Sequence, residues 1–164
     1  MAAPDFATLF DFETQLEDAA TTFLATASGL PESSVFSTLD QDEFTVPRVE
    51  VMAEINEGID PPVKRSTVSD VEEYLNYAAT ISIRVVTDAL QDGTQAVHRA
   101  MRGAIRGEMM QNGNNWTTTP SLLPFYSVQY QRPMGTSYEI DGDLAVSTLT
   151  YDIRFAIKND AWPA

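Results

Sequence analysis

The chain has 164 residues, no cysteine, and 24 acidic against 10 basic residues, which gives a formal net charge of −14 at pH 7. This length buries a core without a metal or a crosslink, and the lack of cysteine excludes disulfides, a thiolate nucleophile and Cys-based zinc or iron–sulfur sites. The negative charge disfavours binding to nucleic acid backbones and to anionic membrane surfaces, because both carry charge of the same sign.

The first predicted element is an amphipathic helix over residues 5–28. Asp5 is the expected N-cap, and Gly29 with Pro31 is the expected stop. The apolar positions recur at intervals of three and four residues, namely Phe6, Leu9, Phe10, Leu16, Ala20, Phe23 and Leu24. We expect the acidic side of this helix to face water or a partner; it consists of Asp11, Glu13, Glu17 and Asp18.

Two strands are predicted next, separated by an exposed excursion. Residues 31–42 are turn-forming and acidic, and the alternation of residues 43–55 predicts a half-buried strand with Pro47 at its start or on a sheet edge. Residues 56–70 are polar and predict the excursion. Residues 74–87 predict a long strand, paired antiparallel with the first, whose one face carries Tyr77, Ala79, Ile81, Ile83 and Val85.

A second helix is predicted over residues 94–110, opened by Asp92-Gly93-Thr94. We expect it to bury Val97, Met101, Ala104, Ile105 and Met109. Arg99, Arg102 and Arg106 are three and four residues apart, so they project from one face as a basic stripe. Two interpretations stay open. The stripe pairs with carboxylates of a neighbouring chain through forked hydrogen bonds, or it pairs within the chain and with water.

The remainder of the chain is predicted as a loop followed by three extended segments. Residues 111–124 are polar and rich in glycine and asparagine, which predicts the loop. The strands are predicted over residues 124–131, 137–140 and 144–158, with the clearest alternation in the last. Asp141-Gly142 supplies turn residues for a hairpin between the last two.

The order of elements predicts one α+β domain spanning residues 1–164. Strands follow one another without crossovers, so we expect an antiparallel, at most mixed, sheet of about five strands with both helices packed on one face.

No pattern in the sequence indicates a catalytic, cofactor-binding or metal-binding site. His98 is the single histidine, and we interpret it as a helix-surface residue without a catalytic role, because a triad needs a positioned base and an orienting group. The carboxylate clusters fall in turns and exposed segments, where both members ionise. Neither glycine-rich phosphate-binding motif is present.

The N-terminal residues lack the basic and apolar segments of a signal peptide, and no stretch approaches the roughly 20 apolar residues that span a bilayer. We therefore expect a soluble protein that the usual signal does not export.

Charge is distributed unevenly along the chain. Residues 1–75 hold 16 acidic residues against three basic ones, whereas residues 76–164 hold 8 against 7. Two such halves suit a subunit contact in which an acidic surface meets a relatively basic one, and a solubilising acidic face is the alternative. The candidate interface residues are Arg99, Arg102, Arg106, Glu13, Glu17 and Asp18.

Taken as a whole, the chain resembles the tail terminator (tail completion) proteins of long-tailed bacteriophages. The similarity lies in the helix from Phe6 to Leu24, the strands around Pro47-Arg48-Val49-Glu50-Val51 and from Ala79 to Val86, the helix from Ala96 to Met110, and the closing stretch from Asp143 to Lys158. It is one of order, length and pattern, and it covers nearly the whole chain.

The resemblance implies a virion subunit without enzymatic activity or a cofactor, assembled in the host cytoplasm as a hexameric ring at the neck. Such a ring caps the tail tube, contacts the tail-tube protein on one side and the head–tail connector on the other, and lets DNA pass through its lumen without specific binding. We further expect the loops at residues 56–70 and 111–121 to contact neighbouring rings.

Two alternatives stay open at this point. The first is another neck, head-completion or tail-tube component. The second is an enzyme or small-molecule-binding domain whose pocket is lined by Tyr126, Tyr130, Tyr138 and Tyr151, although tyrosines on strands usually serve core and interface packing.

Overall fold

The computed structural model of the chain describes residues 7, 11–31, 34–37, 45–56, 63–66, 71–91, 93–111 and 126–158. The elements of this part are, in chain order, α1 (Phe12–Ala25), β1 (Val35–Ser37), β2 (Arg48–Asn56), β3 (Val63–Ser66), β4 (Val71–Asp88), α2 (Thr94–Gln111), β5 (Tyr126–Asp141) and β6 (Leu144–Lys158). Neither α1 nor α2 is long and apolar enough to cross a membrane.

The strands form a single mixed sheet. They lie side by side in the order β1-β2-β4-β6-β5, and β3 pairs with the beginning of β4. β1 runs parallel to β2, and the other neighbouring pairs are antiparallel. The predicted α+β class with a mainly antiparallel sheet is therefore confirmed.

Both helices pack on the same face of the sheet. Inward-facing residues align across the central strands, with Val51 opposite Ile83 and Ile83 opposite Leu149. These three are buried in one core cluster together with Leu16 of α1 and Ile105 of α2. Burying an aliphatic side chain contributes about 1.5–3 kcal/mol, so the apolar face of the strands also determines where the helices lie.

The opposite face of β2 buries a charged cluster. Arg48 Nε lies 3.1 Å from Glu50 Oε1, and Arg84 Nη1 lies 3.2 Å from Glu50 Oε2. The Arg48 guanidinium also lies 4.6 Å from the centre of the Phe36 ring in β1. Because Arg48 and Glu50 are both buried, β2 is covered on both faces at this end, whereas the alternation predicted a half-buried strand.

The helix α1 begins at Phe12, whereas the sequence predicted one helix over residues 5–28. Asp11 has non-helical backbone angles, and its side chain accepts a hydrogen bond from Thr14 N at 3.4 Å, so Asp11 is the N-cap. One continuous helix over residues 5–28 is therefore wrong, because the chain leaves the helical conformation at Asp11. The proposed cap at Asp5 lies outside the described residues.

Three of the strand predictions need correction. β1 lies in a segment predicted as turns, and β3 lies in the predicted excursion over residues 56–70. The segments predicted as separate strands over residues 124–131 and 137–140 belong to one strand, β5. Its pairing with β6 continues across irregularities between Val128 and Tyr130 and between Pro133 and Gly135. Most of the predicted loop, from residue 112 to residue 124, lies outside the described residues.

The second helix and the last hairpin are confirmed. Asp141 pairs with Leu144 across a two-residue turn in which Gly142 has a φ of 59°. Glycine adopts this left-handed conformation without steric cost. Within α2, however, Val97 is 46% exposed instead of buried, and His98 takes the inward position beside it.

Candidate functional site

The basic stripe of α2 faces strands β5 and β6. Arg102 is half-buried and donates from Nη1 to Ser147 Oγ of β6 at 3.3 Å. Arg106 is exposed and donates from Nη2 to Thr136 Oγ1 of β5 at 3.1 Å. Arg99 is exposed. Two of the three arginines thus bond within the chain, but their partners are hydroxyl groups and not carboxylates.

None of the three guanidinium groups forms an ion pair with a carboxylate within the described part of the chain. The ion pairs found there are Arg48–Glu50, Arg84–Glu50 and Arg132–Asp152. Arg102 Nε is also buried without a hydrogen-bond partner among the described residues. A hydroxyl satisfies one N–H group but does not neutralise a cation, so this side of α2 attracts anions.

His98 is buried, which corrects the expectation of a helix-surface histidine. Only 2% of the residue is exposed. Its Nδ1 lies 2.8 Å from Thr87 Oγ1, and its Nε2 lies 2.7 Å from Ser147 Oγ. Burial and, second, the charge of Arg102 lower the pKa of His98 below its ordinary value of 6.5. The ring is therefore neutral at pH 7, with a hydroxyl partner at each nitrogen.

The chain of contacts from Ser147 through His98 to Thr87 differs from a catalytic triad in two respects. Ser147 is fully buried, and the group at Nδ1 is a hydroxyl where a triad has a carboxylate. Ser147 Oγ also accepts the hydrogen bond from Arg102. These contacts fasten α2 onto β4 and β6. That His98 has no catalytic role stays a prediction.

A cleft of ≈ 470 Å³ opens beside this network. It lies between residues 89–91, the first half of α2 and the β5–β6 hairpin. His98, Arg99 and Arg102 form its polar wall, and Leu90, Tyr138 and Ile140 contribute apolar surface. The Tyr138 ring meets the His98 ring edge to face at 5.6 Å. We call this site the arginine cleft.

The apolar wall of the arginine cleft is unusually exposed for large side chains. Leu90 is 73% exposed, Tyr138 48% and Ile140 56%. Sequence reasoning missed Leu90 and Ile140 as site residues. The alternation of β5 places Tyr138 and Ile140 on one face, so a signal existed for that pair. Nothing in the sequence marks Leu90, whose position depends on the turn before α2.

The three acidic interface candidates of α1 differ in their exposure to solvent. Glu13 and Asp18 are exposed. Glu17 is only 4% exposed, and it accepts hydrogen bonds from Ala53 N at 2.9 Å and Ser37 Oγ at 2.8 Å. Glu17 faces neither water nor a partner, so its assignment to an interface is wrong. Its carboxylate serves the packing of α1 on β1 and β2.

The acidic candidates lie on α1 and the basic candidates on α2, and the two helices share one face of the sheet. α1 packs against β1 and β2, which form one end of the strand order. α2 contacts β4 and reaches β6 and β5, at the other end, through His98, Arg102 and Arg106. The structure therefore does not bring Glu13 and Asp18 together with the arginines within one chain.

The four tyrosines of the alternative pocket do not share one environment. Tyr138 lines the arginine cleft, whereas Tyr151 is 3% exposed in the core, where burial raises its pKa above the ordinary value of 10.0 and the nearby Arg106 opposes that rise. The side chains of Tyr126 and Tyr130 lie outside the described residues.

Shape and charge define the site. A cleft with two arginines and an exposed apolar wall lies beside α2, and exposed carboxylates lie both on α1 and on the β5–β6 hairpin. Comparison with protein-family models and with curated protein sequences found no match.

Proposed function

We propose that this chain is a structural subunit that assembles head to tail into a closed ring. The ring is the one that the resemblance implies, at the head-proximal end of a phage tail, where it caps the tail tube and joins it to the head connector. In this proposal the subunit catalyses no reaction and needs no cofactor.

The presence of exposed carboxylates on α1 and of arginines on α2 carries the proposal. A ring requires a heterologous contact, in which one surface of a subunit meets a different surface of the next. Exposed Glu13 and Asp18 lie on α1, and the arginines that have no carboxylate partner among the described residues lie on α2. When each subunit repeats this arrangement, the acidic surface of one copy attracts the basic surface of another.

Exposed apolar side chains on the basic side supply a second reason. Leu90, Tyr138 and Ile140 line the cleft, and Met134, farther along β5, is 55% exposed. Interfaces draw affinity from a desolvated apolar centre, whereas charge pairs contribute register, specificity and association rate. The basic side of this chain offers both kinds of surface within a short distance.

The edge strand β5 favours contact through side chains over extension of the sheet. It carries Pro133, which has no N–H to donate, and two irregularities in its pairing with β6. Proline and bulges on an edge strand disfavour pairing with another strand. A subunit built in this way is suited to a closed assembly and not to an open β-fibre.

The remaining parts of the proposal follow from the ring. Its two rims contact the tail-tube protein and the head–tail connector, DNA passes through the lumen without specific binding, and the protein resides in the virion neck after assembly in the host cytoplasm. A net charge of −14 suits such a channel, because like charges near DNA oppose adhesion.

Mass and shape of the purified protein test the proposal. We expect a single closed oligomer, about six subunits by native mass spectrometry, which electron microscopy shows as a ring. A stacked filament would favour a tail-tube component instead. A strictly monomeric species at about 10 mg/mL, a concentration at which mass action favours even modest association, contradicts the proposal.

A further inference from the structure

We infer that the arginine cleft is a binding site for a small organic carboxylate. The apolar body of this ligand lies against Leu90, Tyr138 and Ile140, and its carboxylate binds Arg99 and Arg102. The cleft is formed within one chain, so this inference goes beyond the proposed assembly and does not depend on it.

Arg102 is a cation whose surroundings favour a bound anion. Its side chain is half-buried, Nη1 donates to Ser147 Oγ at 3.3 Å, and Nε is buried without a hydrogen-bond partner among the described residues. Burial removes part of the hydration of a charged group, and a hydroxyl does not supply the opposite charge that would offset this loss. The hydrogen bond to Ser147 also orders the guanidinium before a ligand arrives, which lowers the entropy cost of binding.

A second cation lies near the first, and no carboxylate is present among the described residues that line the cleft. Arg99 lies three residues before Arg102, and like charges at this spacing on a helix repel each other. An anion bound beside the two groups reduces this repulsion. His98 adds no charge at neutral pH, because burial lowers its pKa. Guanidinium groups bind carboxylates through paired N–H···O hydrogen bonds, so a carboxylate suits this wall.

The apolar wall favours an organic anion over a simple inorganic one. Leu90, Tyr138 and Ile140 line the cleft and are about half or more exposed. The Tyr138 ring is held edge to face against the His98 ring at 5.6 Å, so a flat ligand meets an oriented aromatic surface. A phosphate or acetate ion leaves this wall in water, whereas an aromatic or branched aliphatic body covers it and gains from its burial.

Volume and net charge narrow the class of ligand further. The cleft volume of ≈ 470 Å³ lies within the range of about 300–1,000 Å³ that is typical of small-molecule sites. The net charge of −14 repels an approaching anion in proportion to the charge of that anion. A monocarboxylate is therefore favoured over a nucleotide or another multiply charged ligand.

Three probes separate the contribution of charge from that of apolar surface. Naphthylacetate carries both, naphthylacetamide has the same shape without the charge, and acetate has the charge without the rings. We expect isothermal titration calorimetry at low salt to give naphthylacetate a dissociation constant at least about tenfold below those of the amide and of acetate, because only naphthylacetate contacts both walls.

Substitutions in the two walls assign the binding to the cleft. Arg99→Gln and Arg102→Gln each lower the affinity for naphthylacetate by about tenfold and leave that for naphthylacetamide within about twofold. Leu90→Ala lowers the affinity for both probes, because it removes apolar surface that each of them covers. Arg106→Gln removes the same charge from the same helix outside the cleft lining, so this matched control leaves both affinities within about twofold.

Arg99→Gln keeps the test decisive if Arg102→Gln disturbs the fold. Arg99 is exposed, and its replacement leaves the hydrogen bond between Arg102 and Ser147 in place. Circular dichroism checks that each variant retains the wild-type fold.

Several results would overturn the inference. One is equal affinity for naphthylacetate and its amide, and another is a naphthylacetate affinity that neither arginine substitution changes. Acetate that binds as tightly as naphthylacetate would reduce the cleft to general attraction of anions. The proposed function is judged separately: a monomeric protein that binds naphthylacetate in the cleft retains this inference and defeats the ring, whereas a ring that takes up no naphthylacetate overturns this inference alone.

Discussion

The buried carboxylate of Glu17 takes the place of a missing strand at the edge of the sheet. β1 is short, and its last pair with β2 joins Ser37 to Val51. Two residues farther along β2, the N–H of Ala53 donates to Glu17 Oε1, while Ser37 Oγ donates to Oε2. An unpaired buried N–H is costly, so an acidic residue is useful on the packed side of α1.

Replacing Glu17 with alanine is expected to lower the free energy of unfolding by about 1–3 kcal/mol, because Ala53 N and Ser37 Oγ lose their acceptor inside the protein. Urea denaturation followed by circular dichroism measures the change. Thr22→Ala, at an exposed position of the same helix, is the matched control and should change stability by no more than about 0.5 kcal/mol. Equal effects at both positions contradict the role assigned to Glu17.

His98 gives the folding stability a defined dependence on pH. Its folded pKa lies below the ordinary 6.5 of an unfolded histidine, so the unfolded chain binds more protons as the pH falls through that value. The contribution of the neutral His98 ring to the free energy of unfolding is complete above pH 6.5. It is lost below that pH, at a rate of at most about 1.4 kcal/mol per pH unit.

Urea midpoints between pH 7.5 and pH 5.5 check this expectation. The wild-type midpoint falls on the acidic side, and the midpoint of His98→Gln changes less, because no other histidine is present in the chain. A wild-type midpoint that falls no more than that of His98→Gln would contradict the lowered pKa, because both proteins share every other titrating group.

At the level of elements, α2 has two different functional sides. Its inward side carries Met101, Ile105 and Met109 into the core and continues through His98, whose ring nitrogens face hydroxyl groups of β4 and β6. The neighbouring side carries the arginines toward the cleft. The hydrogen bonds of His98 fix the rotation of α2 about its axis and so the direction in which the arginines point. An apolar contact alone would fix this rotation less firmly.

The β5–β6 hairpin positions the apolar wall of the cleft, and its turn depends on one glycine. Gly142 has a φ of 59°, a conformation that costs other L-residues about 1–2 kcal/mol. Gly142→Ala is therefore expected to destabilise the protein by about that amount in urea denaturation, and Gly142→Asn to destabilise it less.

Gly107→Ala is the control for this substitution. Gly107 lies on the exposed side of α2 with no atom within 4 Å of an added Cβ, so alanine there should stabilise the helix by about 0.5–1 kcal/mol. Destabilisation of the same size at both glycines would mean that the turn conformation is not the cause.

At the level of the whole molecule, one face of the sheet carries both the acidic helix α1 and the arginines of α2. The helices share a face of the sheet, but α1 packs at the β1–β2 end and α2 reaches the β6–β5 end. None of the ion pairs described above joins a carboxylate of α1 to an arginine of α2. The two charged surfaces are the physical basis of the proposed assembly.

Association driven by these surfaces should weaken as salt is added. The Debye length falls from about 10 Å at 0.1 M to about 3 Å at 1 M ionic strength, which screens charge pairs at the rim of an interface. We expect the dissociation constant from sedimentation equilibrium to rise across this range. Tighter association at 1 M salt would indicate an apolar contact and would contradict a charge-guided one.

The sequence by itself determined the fold class and most elements of this protein. Neighbouring residues specify the periodicity of a helix or strand and the residues of a turn. Local sequence was therefore sufficient to predict β4, β6, the helix at Thr94–Gln111 and the hairpin at Asp141-Gly142. The arginine stripe was also visible, because i, i+3 and i+4 spacing places side chains on one helical face.

Only the tertiary structure decided which polar residues are buried. Val97 and His98 both lie at the boundary between the buried and exposed faces of α2, so periodicity does not decide which of them is buried. His98 is buried because the hydroxyls of Thr87 and Ser147, 11 and 49 residues away, bind its ring nitrogens. Glu17 was likewise selected by Ala53, 36 residues away. Burial of a polar group depends on a partner that satisfies it, and such partners come from distant parts of the chain.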